Sequence, residues 1–364
     1  MRLVFGLLTG SVLATGVVFA AQGAGDTRPG VNASALQPPE AHVALAKTAA
    51  GESYQNLFTF LCAAPGQRGT APPGAVGQGV RQGTPGAAAR GTAPQAGSPA
   101  GGSPPTGAAR GGGRGTPDRS TWYVEPVKVF DNLYFVGQSE YSAWAVKTSD
   151  GIILIDTLFD YSVEEEVVNG LTRLGLDPAT IRYAVVTHPH PDHHGGAKFL
   201  QDRYKTRVLM SAADWDVIDR LTGSKPTRDL LATDGQSLTL GDTMITLYIT
   251  PGHTPGTLSV LMPVRDNGVP HLAALWGGTG LNADRASLEQ YIASARRFSA
   301  MAQKAGADIM LSNHTDWDES KVYLPQLATR KPGAPNPYVA GPAAVRRFLT
   351  VAEECATARL LRLN

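Results

Sequence analysis

The chain has 364 residues, of which 41 are glycine and 26 are proline. Its 32 basic and 31 acidic side chains leave a formal net charge of +1, so composition gives no electrostatic argument for binding nucleic acid or a charged membrane surface. The length allows one large domain or two smaller ones.

The first twenty residues have the composition of a secretory signal peptide. Arg2 is followed by an apolar run that ends at Val18-Phe19-Ala20, which is a small-residue cleavage pattern. An uncleaved anchor helix is the alternative, but glycines interrupt the run, which is marginal in length for a membrane span. No other stretch is apolar enough to cross a bilayer. We therefore expect a periplasmic or secreted protein with no stable membrane insertion after residues 1–20 are removed.

Two contrasting segments follow. Residues 21–62 end in an apolar run from Leu57 to Cys62 that needs a partner surface, so we expect this N-terminal segment to dock on the domain that begins at residue 120. Residues 63–119 are rich in glycine, proline and alanine and contain almost nothing to bury, which predicts a disordered linker. A basic arm for an acidic partner is the alternative, but its arginines are too widely spaced to form a patch.

From residue 120 to 364 the hydrophobic pattern predicts one domain. The predicted strands are 128–130, 133–136, 142–146, 152–155, 182–187, 207–210, 237–240, 244–249, 258–262, 271–276 and 309–311. The predicted helices are 163–174, 195–204, one that begins near 288 and stops near 306, and a final one at 345–356. Hairpins, then helices and strands in alternation, then hairpins again predict an α/β (α+β) fold with two packed mixed sheets and helices outside.

One short segment concentrates metal-ligating side chains. From His188 to His193 the sequence reads H-P-H-P-D-H, directly after the predicted strand 182–187 and before a glycine pair that indicates a turn into a helix. The carboxyl end of a strand is where open α/β sheets place their sites. Imidazole and carboxylate groups at this density suit zinc. The two prolines are expected to keep the segment out of both neighbouring elements and to stiffen it as a loop.

A catalytic zinc ion needs three protein ligands and one open position. His188 and His190 supply two ligands. The best candidate for the third is His253, which follows a predicted strand and lies in the glycine- and proline-rich turn 250–256. The alternative is that His253 is a turn residue with no functional role, and the dense cluster of ligand-type residues at 188–193 argues against it.

A second ligand set can be assembled in the same way. His314 follows the predicted strand 309–311, and with Asp192 and His193 it would supply three more ligands. Two such sets a few ångströms apart would form a two-metal hydrolytic centre. We therefore expect two zinc ions.

These motifs, in this order, resemble the metallo-β-lactamase fold superfamily over residues 122–317. The resemblance rests on the 188–193 segment, the turn around His253, His314, and Asp156 at the end of the predicted strand 152–155. It implies a four-layer αβ/βα sandwich with zinc at the open edge between the sheets, and the ligand pairing given above. It also implies that Asp156 hydrogen-bonds a ligand imidazole or the metal loop. A carboxylate that only caps loop amides is the alternative for Asp156.

One position departs from most of that superfamily. Many members have a metal-bridging aspartate after the strand that precedes the last helix, and some true lactamases have a zinc-binding cysteine there. This chain has the segment Gly277–Gly280 instead. The pattern most resembles the third subclass of class B β-lactamases, in which a hydroxyl residue occupies this place, here Thr279. Leu281 and Asn282 follow where that subclass has substrate-contacting serines.

The resemblance implies a zinc-dependent hydrolase whose metal-bound hydroxide opens a cyclic amide of β-lactam type, or a related ester or lactone, in a small-molecule substrate. Asp192, Thr279 and Asp156 are the expected catalytic residues, with Asp192 orienting the hydroxide. Three alternatives stay open: a mononuclear iron oxygenase, a glyoxalase-II-like thioesterase, and a non-enzymatic metal-binding protein of the cell envelope. Substrate identity and oligomeric state do not follow from the sequence.

The two cysteines, Cys62 and Cys355, could form a disulfide in an oxidising compartment. Cys355 lies on the apolar stripe of the last predicted helix, so the bond would fasten the N-terminal segment to that helix. A linker such as 63–119 spans about 40 Å as a random coil, so reach is no obstacle. Two separately buried thiols are the alternative.

Overall fold

The computed structural model describes residues 37–62 and 116–363. The expected signal peptide (1–20) and the expected linker up to residue 115 lie outside the described residues. The last residues of that linker lead into a 3₁₀ turn, Arg119–Thr121, where the Asp118 carboxylate accepts a hydrogen bond from the amide of Ser120. Among the residues described, none of the helices combines the length and the apolar character that crossing a membrane requires.

The described strands form two sheets, and all of them belong to the unit that begins at Pro38. The first sheet contains, in spatial order, β1 (Val127–Lys128), β2 (Leu133–Phe135), β3 (Trp144–Thr148), β4 (Gly151–Ile155), β5 (Ile181–Val185), β6 (Arg207–Ser211) and β7 (Leu230–Ala232). The second has the order β12-β11-β10-β9-β8 and contains β8 (Gln236–Leu240), β9 (Thr243–Ile249), β10 (Leu258–Asp266), β11 (Val269–Trp276) and β12 (Ile309–Ser312). The parallel pairs are those from β4 to β7 and the pair β11–β12, so both sheets are mixed, as predicted.

The described helices flank these sheets. They are α1 (Pro39–Ala50), α2 (Gln55–Cys62), α3 (Asn169–Arg173), α4 (Pro191–His194), α5 (Ala197–Tyr204), α6 (Ala212–Arg220), α7 (Arg285–Ala305), α8 (Ser320–Ala328) and α9 (Pro342–Leu361). A π-helical turn, Glu164–Val168, runs directly into α3, so the helix predicted at 163–174 is present. Helix α7 ends at Gly306, whose φ of 79° provides the left-handed C-cap that a glycine adopts without strain.

The alternation of side chains along β4 shows how the layers are built. Ile153 and Ile155 face the second sheet and join the core between the sheets, where they meet residues such as Val260. Ile152 and Leu154 point the other way and pack against the helix at 164–173. A strand that is buried on both faces reads as a continuous apolar run, which is why β4 contains no polar residue. Together with the helices on the far face of the second sheet, this confirms the four-layer αβ/βα sandwich.

The N-terminal helices α1 and α2 pack on the C-terminal helix α9. The guanidinium of Arg347 donates hydrogen bonds to the carbonyl oxygens of Ala49 and Ala50, at 2.8 and 2.7 Å, and so satisfies carbonyls at the end of α1. Cys62 and Cys355 form the disulfide that the sequence favoured, with their Cα atoms 4.8 Å apart. The segment 38–62 is therefore attached to α9 by packing, hydrogen bonds and one covalent bond.

Candidate metal centre

The expected ligands converge at one edge of the sandwich, where strands of both sheets end. The loop that carries His188 and His190 follows β5 of the first sheet. His253 follows β9 and His314 follows β12, both in the second sheet. Because the two sheets pack face to face, side chains from separate parts of the chain meet at this edge.

The first group of ligand atoms belongs to His188, His190 and His253. The Nε2 atom of His253 lies 3.2 Å from Nε2 of His188 and 3.2 Å from Nδ1 of His190. In a tetrahedral site with zinc–nitrogen bonds of about 2.0–2.1 Å, neighbouring donor atoms lie about 3.3 Å apart. The three nitrogens therefore have the spacing of ligands that share one ion.

Hydrogen bonds at the opposite ring nitrogens fix two of these three imidazoles, those of His188 and His253. Nδ1 of His188 lies 2.9 Å from the carbonyl oxygen of Gly277, and Nδ1 of His253 lies 2.7 Å from that of Gly280. A carbonyl only accepts, so each Nδ1 donates and each Nε2 presents a lone pair. Burial lowers the pKa of His188 well below its usual range and that of His253 to about 3, so both rings stay neutral. Two facing lone pairs cannot bond each other, and a cation between them satisfies both.

The glycines of the segment Gly277–Gly280 allow this close approach. A side-chain carbon at Gly278 would lie 2.7 Å from Cβ of His253, and one at Gly277 would collide with the carbonyl oxygen of Leu258. The segment that lacks the bridging aspartate thus supplies backbone acceptors to two ligands. Sequence reasoning missed this role, although the three glycines around Thr279 are a signal that backbone must pass close to another group.

The second group contains Asp192, His193 and His314. Nε2 of His193 lies 2.9 Å from Oδ2 of Asp192, and Nε2 of His314 lies 3.7 Å from the same oxygen. The closer pair is not aligned as a hydrogen bond, so Nε2 of His193 is buried without a hydrogen-bond partner in the described chain. Atoms arranged in this way converge on a point that a cation can occupy, and the residues fit a second metal ion.

The charges around His193 favour a cation at this point. Burial alone would lower the pKa of His193, but the carboxylates of Asp192 and Asp156 outweigh it and raise that pKa to about 10. Burial would raise the pKa of Asp192, and the neighbouring His193 holds it below its usual range instead. The group therefore holds either a proton on His193 or a metal ion in place of that proton.

Asp156 connects the metal loop to the second group. It directly follows β4 and has a φ of 62°, a left-handed conformation that is unusual for a residue other than glycine. Its Oδ1 accepts a hydrogen bond from the amide of Thr187 at 2.7 Å. Its Oδ2 accepts from the Thr187 hydroxyl and lies 2.9 Å from Nδ1 of His193. The two roles considered for Asp156, loop capping and imidazole orientation, therefore occur together.

The structure corrects one expectation about the prolines. Pro191 does not keep the segment out of a helix, because it is the first residue of α4. Proline suits that position, since its fixed φ is helical and it lacks only an N–H that would be unpaired anyway. The carbonyl oxygen of His190 then accepts hydrogen bonds from the amides of His193 and His194, each at 3.0 Å. This single helical turn carries Asp192 and His193, which belong to the second group.

Comparison with known proteins finds a family match within the chain. The sequence profile of the metallo-β-lactamase superfamily matches residues 136–266. BJP-1, a subclass B3 metallo-β-lactamase of Bradyrhizobium japonicum, is a structural neighbour with a TM-score of 0.53 and 26% sequence identity over 64% of this chain and 92% of that one. The expected resemblance, to the superfamily and to its third class B subclass, is confirmed.

Curated proteins that are similar to part of this chain have other names. A hydroxyacylglutathione hydrolase of Neisseria meningitidis is 29% identical over 143 residues, which are 39% of this chain and 47% of the relative. The human mitochondrial persulfide dioxygenase ETHE1 is 30% identical over 151 residues, which are 42% of this chain and 50% of the relative. The chain thus spans about half the length of the curated relatives that it matches.

Two further buried residues adjoin the segments that form the ligand groups. Thr279 is buried, and its hydroxyl has no hydrogen-bond partner among the described residues, while its carbonyl oxygen accepts from the Tyr291 hydroxyl at 2.9 Å. A catalytic role for Thr279 stays a prediction. His194 belongs to neither ligand group; it is buried, and burial lowers its pKa to about 4.

Proposed function

We propose that this domain is a zinc-dependent hydrolase that opens a cyclic amide of β-lactam type or a related ester or lactone. Members of the superfamily are hydrolases generally. The observation that supports the proposal most directly is the presence of two complete ligand groups with no carboxylate in the segment Gly277–Gly280 to bridge them. The groups are His188, His190 and His253, and Asp192, His193 and His314.

Zinc, when bound, would supply hydroxide near neutral pH and polarise a substrate carbonyl. The chain would do the rest by positioning. Asp192 contributes one carboxylate oxygen to the second group and can accept a hydrogen bond from the attacking water with the other, which would orient it. Asp156 would keep His193 aligned. The hydroxyl of Thr279 is buried without a partner among the described residues, so the segment Gly277–Gly280 would have to shift for Thr279 to contact a bound substrate.

Two alternatives are supported by the names of relatives. The hydroxyacylglutathione hydrolase relatives favour a thioesterase of glyoxalase-II type as the second candidate. The persulfide dioxygenase relative favours an oxygenase, for which a single iron ion was considered above. The second ligand group argues against that option, because one metal would leave three ligands unused. A non-enzymatic metal-binding protein would bind zinc without turnover.

Metal content measured together with a substrate panel tests these options. We expect two zinc ions per chain and hydrolysis of at least one β-lactam, and loss of both activity and zinc at the first group in His188→Ala. His271→Ala is the control, since His271 lies on β11, pairs with Asp308 and belongs to neither ligand group. Less than one zinc per chain, or unchanged hydrolysis in His188→Ala, would overturn the proposal. Turnover confined to an S-acylglutathione thioester would support the thioesterase. Bound iron together with oxygen consumption would support the iron oxygenase.

We also propose that the protein is exported to the periplasm or secreted. The signal-peptide composition of residues 1–20 supports this, as does the disulfide, since disulfides persist in oxidising compartments. Amino-terminal sequencing of protein from fractionated cells should find a start near Ala21 outside the cytoplasm. A chain that keeps Met1 and stays in the cytoplasm would contradict it.

A further inference from the structure

The ligand imidazoles are held in two different ways. His188, His253 and His193 each have a hydrogen-bond acceptor at the ring nitrogen that faces away from the ligand group. For His314, no hydrogen bond to either ring nitrogen is found in the described chain; its closest charged neighbour is Asp192, a ligand of the same group. Its ring must therefore be oriented by something other than a polar partner.

Aromatic rings enclose His314. The centroid of its ring lies 4.2 Å from that of Trp317 and 5.2 Å from that of Tyr141. Tyr141 also pairs with His314 through its backbone, in an isolated antiparallel bridge. Packing between these two rings limits how far the imidazole can rotate, which is the constraint that hydrogen bonds provide for His188, His253 and His193.

Trp317 is in contact with Phe60, a residue of the N-terminal segment. Phe60 of α2 stacks on Trp317 with ring centroids 4.7 Å apart and an angle of 28° between the planes. Trp317 is only 8% exposed, so a ring of this size has little room to shift while Phe60 is in place. Phe60 itself is fixed by the buried Leu57 and Leu61 on the same helix, and by the disulfide of Cys62 two residues later.

We propose that Phe60 is a positioning residue for the second metal group. By stacking on Trp317 it holds the His314 imidazole in the orientation that binds the ion. The proposal rests on the metal-binding part of the proposed function. Because aromatic pairs contribute modestly, we expect loss of this stack to weaken metal binding at the second group by about three- to tenfold. The first group, in which His188 and His253 are fixed by backbone carbonyls, should be unaffected.

The chain offers a matched control for this contact. Phe58 lies on the same helix, is partly buried, and packs against the same apolar cluster as Phe60. The described residues include no ring contact between Phe58 and Trp317. A substitution at either position removes the same side chain from the same helix, so only an effect peculiar to Phe60 reports on the stack.

The experiment measures zinc binding to the metal-free full chain by competition with a chromophoric chelator. His314→Ala identifies which binding step belongs to the second group, because that step disappears. We expect Phe60→Ala to weaken this step alone by about three- to tenfold, Phe58→Ala to change neither step more than twofold, and Phe60→Tyr to restore wild-type binding. In the His314→Ala background, Phe60→Ala should have no further effect on the remaining step.

Equal weakening of both steps in Phe60→Ala, or the same weakening in Phe58→Ala, would overturn the proposal and leave Phe60 as a packing residue. If Phe60→Ala does not fold, Phe60→Leu keeps most of the apolar volume without the ring and should show the same selective loss. A wild-type chain that binds no zinc would defeat the proposed function itself. The two failures are therefore distinguishable.

Discussion

Asp156 shows how much a single side chain does at this site. Its left-handed backbone costs on the order of 1–3 kcal/mol, which the fold must offset elsewhere. In return the carboxylate reaches both the loop amide of Thr187 and the imidazole of His193. Strain of this kind persists only where surrounding contacts determine the conformation, and here three hydrogen-bonding atoms do so.

We expect Asp156→Asn to weaken metal binding at the second group by about 10- to 100-fold, the usual effect of removing the carboxylate partner of a ligand histidine. The amide nitrogen of asparagine cannot accept hydrogen bonds, so either Thr187 or His193 loses its acceptor. Chelator competition on the purified variant measures the change. Asp160→Asn, at an exposed position in the same loop, should bind zinc like the wild type. Unchanged affinity in Asp156→Asn would show that His193 is held by other contacts.

A second residue-scale prediction concerns Gly278. We expect Gly278→Ala to weaken zinc binding at the first group and to lower the free energy of unfolding by about 1–3 kcal/mol, because the new methyl group collides with His253. Urea denaturation and zinc titration measure the two effects. Gly170→Ala is the control, since a side chain there meets Pro126 and Val136 at ordinary contact distances in a helix. A stable, fully loaded Gly278→Ala would mean that the segment relaxes freely.

The sequence predicts the ligand residues better than it predicts the groups that hold those residues in place. His188, His253 and His314 are recognisable because few residue types bind zinc and each follows a strand. The carbonyl oxygens of Gly277 and Gly280 are not recognisable, because every residue has a carbonyl and only tertiary structure decides where it points. The stack of Phe60 on Trp317 joins parts of the chain that no local pattern connects.

Helices and strands could be predicted from the sequence where their hydrophobic periodicity is strong. The long strands of both sheets, α7 and α9 lie where the pattern places them. Helices α6 and α8 were not predicted, since each has nine residues and α8 contains Pro325, which argues against a helix in a sequence. In α6 the Ser211 side chain caps the helix by accepting from the amide of Asp214. Such short helices are stabilised by caps and packing more than by pattern.

The disulfide between Cys62 and Cys355 is expected to stabilise the fold and to hold α1 and α2 in place. We expect the double variant Cys62→Ser, Cys355→Ser to lose about 2–4 kcal/mol in the free energy of unfolding, because the bond closes a long loop and restricts the unfolded chain. Helices α1 and α2 should also become the first sites of limited proteolysis. Urea denaturation and proteolytic mapping test both points, and the wild type in reductant should match the variant. An unchanged urea midpoint would mean that packing on α9 suffices.

Three buried carboxyl groups make the whole molecule sensitive to pH. Burial raises the pKa of Glu166 to about 8 and those of Asp214 and Asp318 to about 7. Each accepts a hydrogen bond from at least one backbone amide. Their ordinary values lie near 4, so between about pH 4 and 8 the folded chain retains protons that the unfolded chain releases. Their contribution to stability is therefore present at low pH and is lost as pH rises through the folded-state values.

A substitution at Glu166 can test this pH dependence of stability without changing the metal ligands. Glu166 lies in the helix at 164–168 and belongs to neither ligand group. We expect Glu166→Gln to flatten the decline of the unfolding free energy between about pH 4.5 and 8, by a few kcal/mol at most, since one pKa unit corresponds to about 1.4 kcal/mol. Urea denaturation at several pH values, with Glu164→Gln at an exposed position as the control, measures it. Parallel pH profiles for wild type and Glu166→Gln would contradict the assignment.

Both ligand groups draw on both sheets, and this has a consequence for how the protein matures. His188 and His253 are 65 residues apart in sequence, so neither group exists until the two sheets have packed. Small zinc domains fold because they bind their ion, whereas here the ion would meet a binding site that folding has already built. Loading would be the final step of assembly. Under zinc starvation, a cell would be expected to accumulate a folded apoprotein that becomes active once metal is supplied, without having to refold.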